Sequence, residues 1–144
     1  LKDYLAANDG CDVFLSPLDI FLVRKPNLNE DDILEFYTSV VQPDLQVLCN
    51  YEDDIDEKDR YKGIPKLVVE ILSPSTRTKD LWNKLHLYSD CGISEYWVVD
   101  PKTKMLNVYT FPEADSRSTA TFRNDEIAES GCFKGLKVPL DRVF

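Results

Sequence analysis

The chain has 144 residues, 43% hydrophobic and 30% charged, with 17 basic against 26 acidic side chains and a net charge of −9. That balance suits one soluble globular domain with a sizeable core, and it excludes a disordered or low-complexity chain. No apolar run approaches the roughly 20 residues of a membrane-spanning helix, and the opening Leu1-Lys2-Asp3-Tyr4-Leu5 lacks a signal-peptide pattern.

In chain order, residues 12–23 read as an extended segment. Val13-Phe14-Leu15 and Ile20-Phe21-Leu22-Val23 are separated by the break Ser16-Pro17. Residues 25–32 are a polar loop. Residues 40–49 read as one strand, with Pro43 near its start where a missing amide donor is tolerable. Residues 50–63 form an acidic excursion. Residues 66–72 are nearly continuous in apolar side chains, which predicts a strand central to its sheet. A helix follows over residues 79–90, with Leu81, Leu85 and Tyr88 at helical spacing and Gly92 as its stop. Residues 95–99 are a further strand, and Asp100-Pro101-Lys102-Thr103-Lys104 turns into a hairpin partner over 105–111. Residues 119–123 and 136–144 supply the last extended pieces. Strands, one helix, then more strands imply a mixed β-sheet flanked by helices, an α/β (α+β) domain spanning 1–144. Five glycines and no GxGxxG or phosphate-loop pattern argue against nucleotide-binding folds.

Cys11, Cys49, Cys91 and Cys132 are too far apart for a CxxC zinc site. With no secretory pattern they read as four reduced, mostly buried thiols in a cytoplasmic protein. His86 is the single histidine, so any triad or Cys-His pair would depend on it alone.

Two carboxylates carry the chemical signal. Asp44 follows Gln42-Pro43 at the head of an apolar run, and Glu70 interrupts Leu67-Val68-Val69-Glu70-Ile71-Leu72. A carboxylate buried without a partner costs several kcal/mol, on the order of a large fraction of a domain's stability. Asp44 and Glu70 on neighbouring strands would offset that cost by sharing Mg2+ or Mn2+. Hard cations accept two carboxylates, a backbone carbonyl and waters. The plainer alternatives are that Asp44 caps a turn after Pro43 and that Glu70 pairs with a core lysine. Lys84 lies one helical turn from both Asp80 and Tyr88; with the helix packed across the Glu70 strand its ammonium could reach an attacking water or a scissile phosphate, or it could form a surface ion pair with Asp80 worth a few tenths of a kcal/mol. Tyr96 and Trp97 read as core. The negative total argues against a nucleic-acid partner, yet residues 58–84 carry +4 and the remainder −13.

Val41-Gln42-Pro43-Asp44, Gly63-Ile64-Pro65, Val69-Glu70-Ile71-Leu72-Ser73-Pro74-Ser75-Thr76, Asp80, Lys84, Tyr88, Gly92 and Glu95-Tyr96-Trp97-Val98-Val99-Asp100-Pro101 resemble the Uma-type restriction endonucleases of the PD-(D/E)XK superfamily. The resemblance runs from about Val13 to the end of the chain. It implies a restriction-endonuclease-like core and a metal-dependent endonuclease that hydrolyses DNA with a metal-activated water. Asp44 and Glu70 would be catalytic and metal-binding, with the Ile71 backbone carbonyl as a third ligand. The superfamily lysine position two residues after the acid is Leu72 here, so Lys84 on the following helix takes that role, with Gln42 and Tyr88 in support. The family's N-terminal helix and hairpin, with an additional acid, have no match in residues 1–13, which implies a missing N-terminal segment, in keeping with the lack of an initiator Met. The rival reading is a catalytically inactive nuclease-like domain serving as an interaction module. By analogy with restriction enzymes, a homodimer is expected.

Overall fold

The computed structural model describes residues 1–7, 10–24, 38–75, 78–113 and 116–144. The polar loop expected at 25–32 and Arg77 of the basic window lie outside them. In order come α1 (Lys2–Leu5), β1 (Cys11–Leu15), β2 (Asp19–Val23), β3 (Thr38–Val41), β4 (Leu45–Cys49), β5 (Arg60–Tyr61) and β6 (Leu67–Ile71). Then follow α2 (Thr78–Asp90), β7 (Glu95–Asp100), β8 (Met105–Glu113), β9 (Ser116–Arg123), β10 (Ile127–Glu129), β11 (Lys137–Pro139) and a 3-10 turn (Leu140–Arg142). The main sheet runs β1-β4-β6-β7-β8-β9, beside a three-stranded sheet β3-β2-β5 and the pair β10-β11. Only β6 and β7 of the main sheet are parallel, and α2 connects them. The result is the expected mixed sheet, and β6 is central as its continuous apolar run implies.

The stretch 40–49 is not one strand. It breaks at Pro43 into β3 and β4, which belong to different sheets. The facing stretch breaks the same way: β1 pairs with β4 and β2 with β3, so Ser16-Pro17 and Pro43-Asp44 form a shared corner where the ribbon leaves the main sheet. Each proline removes an amide donor that an unbroken ladder would need. The corner is tied by the Ser16 amide donating to the Asp44 carbonyl oxygen at 3.2 Å.

α2 begins one residue earlier than its periodicity suggests and buries Leu85, Leu87 and Tyr88 against one sheet face. Its end is fixed by Gly92 at φ +86°, with Ile93 N–H donating to the Tyr88 carbonyl and Gly92 N–H to that of Ser89. This is the paired hydrogen-bond pattern of a left-handed glycine cap. It holds Tyr88 in the last turns, facing the sheet.

The opposite face is covered by α1, β10-β11 and the 3-10 turn, packed on Val47, Leu67, Val69 and Trp97. The final segment is therefore a short strand and a turn, where a longer strand over 136–144 was expected. Glu95 is fully buried on this face. It accepts from the amides of Gly131 (2.6 Å) and Cys132 (2.8 Å) and from the Trp97 indole. Hydrogen bonds to a charged acceptor contribute about 1.5–3 kcal/mol each, so Glu95 anchors the closing segment to β7.

The expectation of four free thiols is overturned. Cys11 and Cys49 are directly paired across β1 and β4, with Cα atoms 4.0 Å apart, and form a disulfide, while Cys91 and Cys132 are free. Spacing along the chain carries no sign of this, because the strand register alone makes the neighbours. The thiol argument for a reducing compartment falls with it. Denatured, unreduced protein is expected to titrate two thiols, Cys91 and Cys132, and four after reduction. Four before reduction would contradict the Cys11–Cys49 bond.

Candidate active site

Glu70 stands on β6 facing α2 and is 8% exposed. A charge so placed needs donors, and α2 supplies two. Lys84 Nζ donates to Glu70 Oε1 at 2.7 Å, and the Tyr88 hydroxyl donates to the same oxygen at 2.9 Å. Lys84 and Tyr88 are one turn apart on the helix, so one stripe presents both. The core-lysine reading of Glu70 and the resemblance thus converge on the same residue. Lys84 keeps 37% of its side chain exposed, so its ammonium also faces outward.

Asp44 reaches this cluster from the corner. Leu45 pairs with Val69, so Asp44 lies one step beyond, level with Glu70. Having left the ladder at Pro43, the chain no longer offers β6 a backbone carbonyl there. The Asp44 carboxylate takes its place, accepting the Ile71 amide proton on Oδ2 at 2.7 Å. It therefore caps the end of β6, rather than only the turn after Pro43. Asp44, Glu70, Ile71, Lys84 and Tyr88 come together from β4, β6 and α2.

Gln42 points elsewhere, since its amide donates to Asp19 Oδ1 on β2 at 2.6 Å. His86 is exposed and stacks on Trp82, ring centroids 6.2 Å apart. Trp97 and Tyr96 are buried, as expected of core. Of the basic window, Arg60 (2.6 Å) and Lys62 (3.5 Å) both reach Asp56, while Lys84 goes to Glu70. Arg60 beside it, with the amides of Lys58 and Arg60, holds the partly buried Asp56 carboxyl well below its usual range.

Two residues that the motif reading left in the core or passed over lie directly beneath this cluster. Tyr96 and Gln46 are buried with side-chain polar atoms that have no hydrogen-bond partner among the described residues. Only the polar Gln46 inside an apolar strand could have signalled this in the sequence.

Burial raises the Tyr88 and Tyr96 hydroxyl pKa values far above their usual 10.0, with the Glu70 carboxylate adding to both. Burial, then Asp54, pushes Tyr61 up to about 12. Below pH 10 these phenols are neutral in the folded and unfolded chains alike, so the stability they contribute is fully present. Above it the unfolded chain ionises first, and stability is lost as pH rises toward and through the folded values. Phenolate absorbance is expected to show Tyr61, Tyr88 and Tyr96 lagging the other tyrosines and appearing only with unfolding. A single transition near 10 for all seven tyrosines would contradict this burial.

Comparison with known proteins adds a family to this geometry. The model of Uma2, described as "Putative restriction endonuclease", matches residues 1–141. The match thus begins at residue 1, ahead of the Val13 boundary read from the motifs. The crystal structure of a "putative nuclease belonging to DUF820" from Anabaena variabilis ATCC 29413 superposes with a TM-score of 0.71 at 16% identity. That superposition covers 99% of this chain and 73% of the other, which establishes a common fold. No curated protein matches the sequence. The chain belongs to the Uma2 restriction-endonuclease family.

Proposed function

We propose that this protein is an endonuclease that hydrolyses DNA phosphodiester bonds with Mg2+ or Mn2+ held by Asp44, Glu70 and the Ile71 backbone carbonyl. The observation that carries the reading is the convergence of Asp44, Glu70 and Lys84 at the corner where β4 begins. The donor set fits a hard cation. Asp44 binds the Ile71 amide through Oδ2 and Glu70 binds α2 through Oε1, so each carboxylate has a second oxygen to offer. Among the described residues no three His, Cys, Asp or Glu side chains gather in one place. Two carboxylates and a carbonyl, completed by water, match the habits of Mg2+ rather than of zinc. Two acids set to meet a phosphodiester also need a cation, because like charges would otherwise repel the substrate.

When bound, such an ion supplies Lewis acidity and neutralises charge on the phosphoryl group. The protein's own groups do the rest. The Ile71 amide and the Tyr88 hydroxyl hold the two carboxylates in register. Lys84 spends one of its three N–H donors on Glu70, leaving two for a water or a phosphoryl oxygen. Placed there, it orients the attacking water and stabilises the charge that builds on phosphorus oxygens as the bond to the leaving oxygen breaks. Family membership supports DNA as the substrate, and the exposed face of Lys84 supports access to it.

Plasmid nicking in Mn2+ and in EDTA tests the proposal. Cleavage is expected only with metal, abolished in Glu70→Gln and lowered about 10²-fold or more in Lys84→Met. Folded wild type that nicks in no divalent metal would favour the interaction-module reading, and cleavage retained by Glu70→Gln would place the site elsewhere.

A further inference from the structure

Gln46 on β4 stands opposite Val68 on β6, and Val68 opposite Tyr96 on β7. The three side chains form one row across the sheet beneath α2, two residues along each strand from the level of Asp44 and Glu70. Gln46 is 0% and Tyr96 1% exposed, and Val68, the shortest of the three, stands between them. The Tyr96 ring is fully engaged, meeting Tyr88 edge-on at 4.9 Å and Tyr109 stacked at 5.9 Å. Its hydroxyl, and both polar atoms of Gln46, have no hydrogen-bond partner among the described residues.

Each orphaned buried group costs about 1–3 kcal/mol, and replacing all of them by apolar groups of like shape is close to neutral or stabilising. Leucine and phenylalanine would therefore serve the core better than glutamine and tyrosine. The polar atoms instead have the makings of a water site. A buried water makes about three hydrogen bonds to otherwise unsatisfied groups, and this one row carries three such atoms.

We infer that Gln46 and Tyr96 are positioning residues that hold a buried water beneath Glu70 and orient its carboxylate through that water. The inference rests on the nuclease reading only for what the carboxylate then does. The water accepts protons from the Tyr96 hydroxyl and the Gln46 amide. It donates one hydrogen to the Gln46 carbonyl oxygen and the other to the carboxylate above. Lys84 and Tyr88 fix Glu70 from the helix side, and the water fixes it from the sheet side, leaving a single direction in which it presents itself beside Asp44.

The test compares wild type with the double variant Gln46→Leu, Tyr96→Phe. High-resolution crystals of wild type are expected to show water density bonded to Gln46 and Tyr96, absent from the double variant. The melting temperature should hold or rise, while Mn2+ affinity measured by calorimetry falls roughly 10–100-fold, the usual effect of removing a group that orients a ligand. A merely structural role would leave Mn2+ affinity unchanged. Tyr96→Phe alone, one oxygen lighter, serves with the same expected direction should the double variant not fold. A dry row in a wild type that binds Mn2+ overturns this inference alone, as does unchanged affinity in a folded variant. A wild type that holds the water but binds no Mn2+ overturns the positioning role together with the nuclease reading.

Discussion

A negative charge buried within a central strand is the constraint around which this molecule is arranged. Glu70 sits among Val68, Val69 and Ile71, where an unpaired carboxylate would consume much of the stability of a domain this size. Lys84 and Tyr88 answer it from α2, so the helix must lie across β6 in one rotation and at one height. Gly92 secures that height by ending the helix immediately past Tyr88 and starting the run into β7. Breaking a buried pair by removing one partner costs about 3–5 kcal/mol, whereas replacing both by apolar groups is often neutral. The charged pair thus brings no evident gain in stability over an apolar one, in keeping with the role proposed for it.

The second determinant is the corner at Ser16-Pro17 and Pro43-Asp44. By sending β2 and β3 into a separate sheet it leaves the end of β6 unpaired on its β4 side, and the Asp44 side chain fills that gap. An exposed aspartate is thereby held beside a buried glutamate by a backbone amide. The same features that end a ladder bring Asp44 and Glu70 to one level at the sheet rim. Fold and chemistry meet at a site of interrupted regularity, where native proteins commonly keep their function.

Much of this was legible in the chain. Continuous apolar character marked β6, helical spacing and glycine marked α2, and an acid inside a hydrophobic run marked the site. Pro43 was read as tolerable near a strand's start because nothing in residues 40–49 distinguishes one strand from two pieces of different sheets. The Cys11–Cys49 pair depends on register, and register is a long-range property. Glu95 looked like an ordinary strand residue, since its partners are 36 and 37 residues further on. Gln42 matched a motif, yet the corner turns its amide toward Asp19. Tyr96 passed as core because its ring is core; only its hydroxyl is not.

The central claim is that Asp44 and Glu70 share one divalent cation, and a crystal soaked in Mn2+ tests it most directly. The account predicts one anomalous peak roughly 2.1 Å from an oxygen of each carboxylate and from the Ile71 carbonyl oxygen, missing in Glu70→Gln. No peak there, in crystals where Lys84 and Tyr88 still bind Glu70, would contradict it.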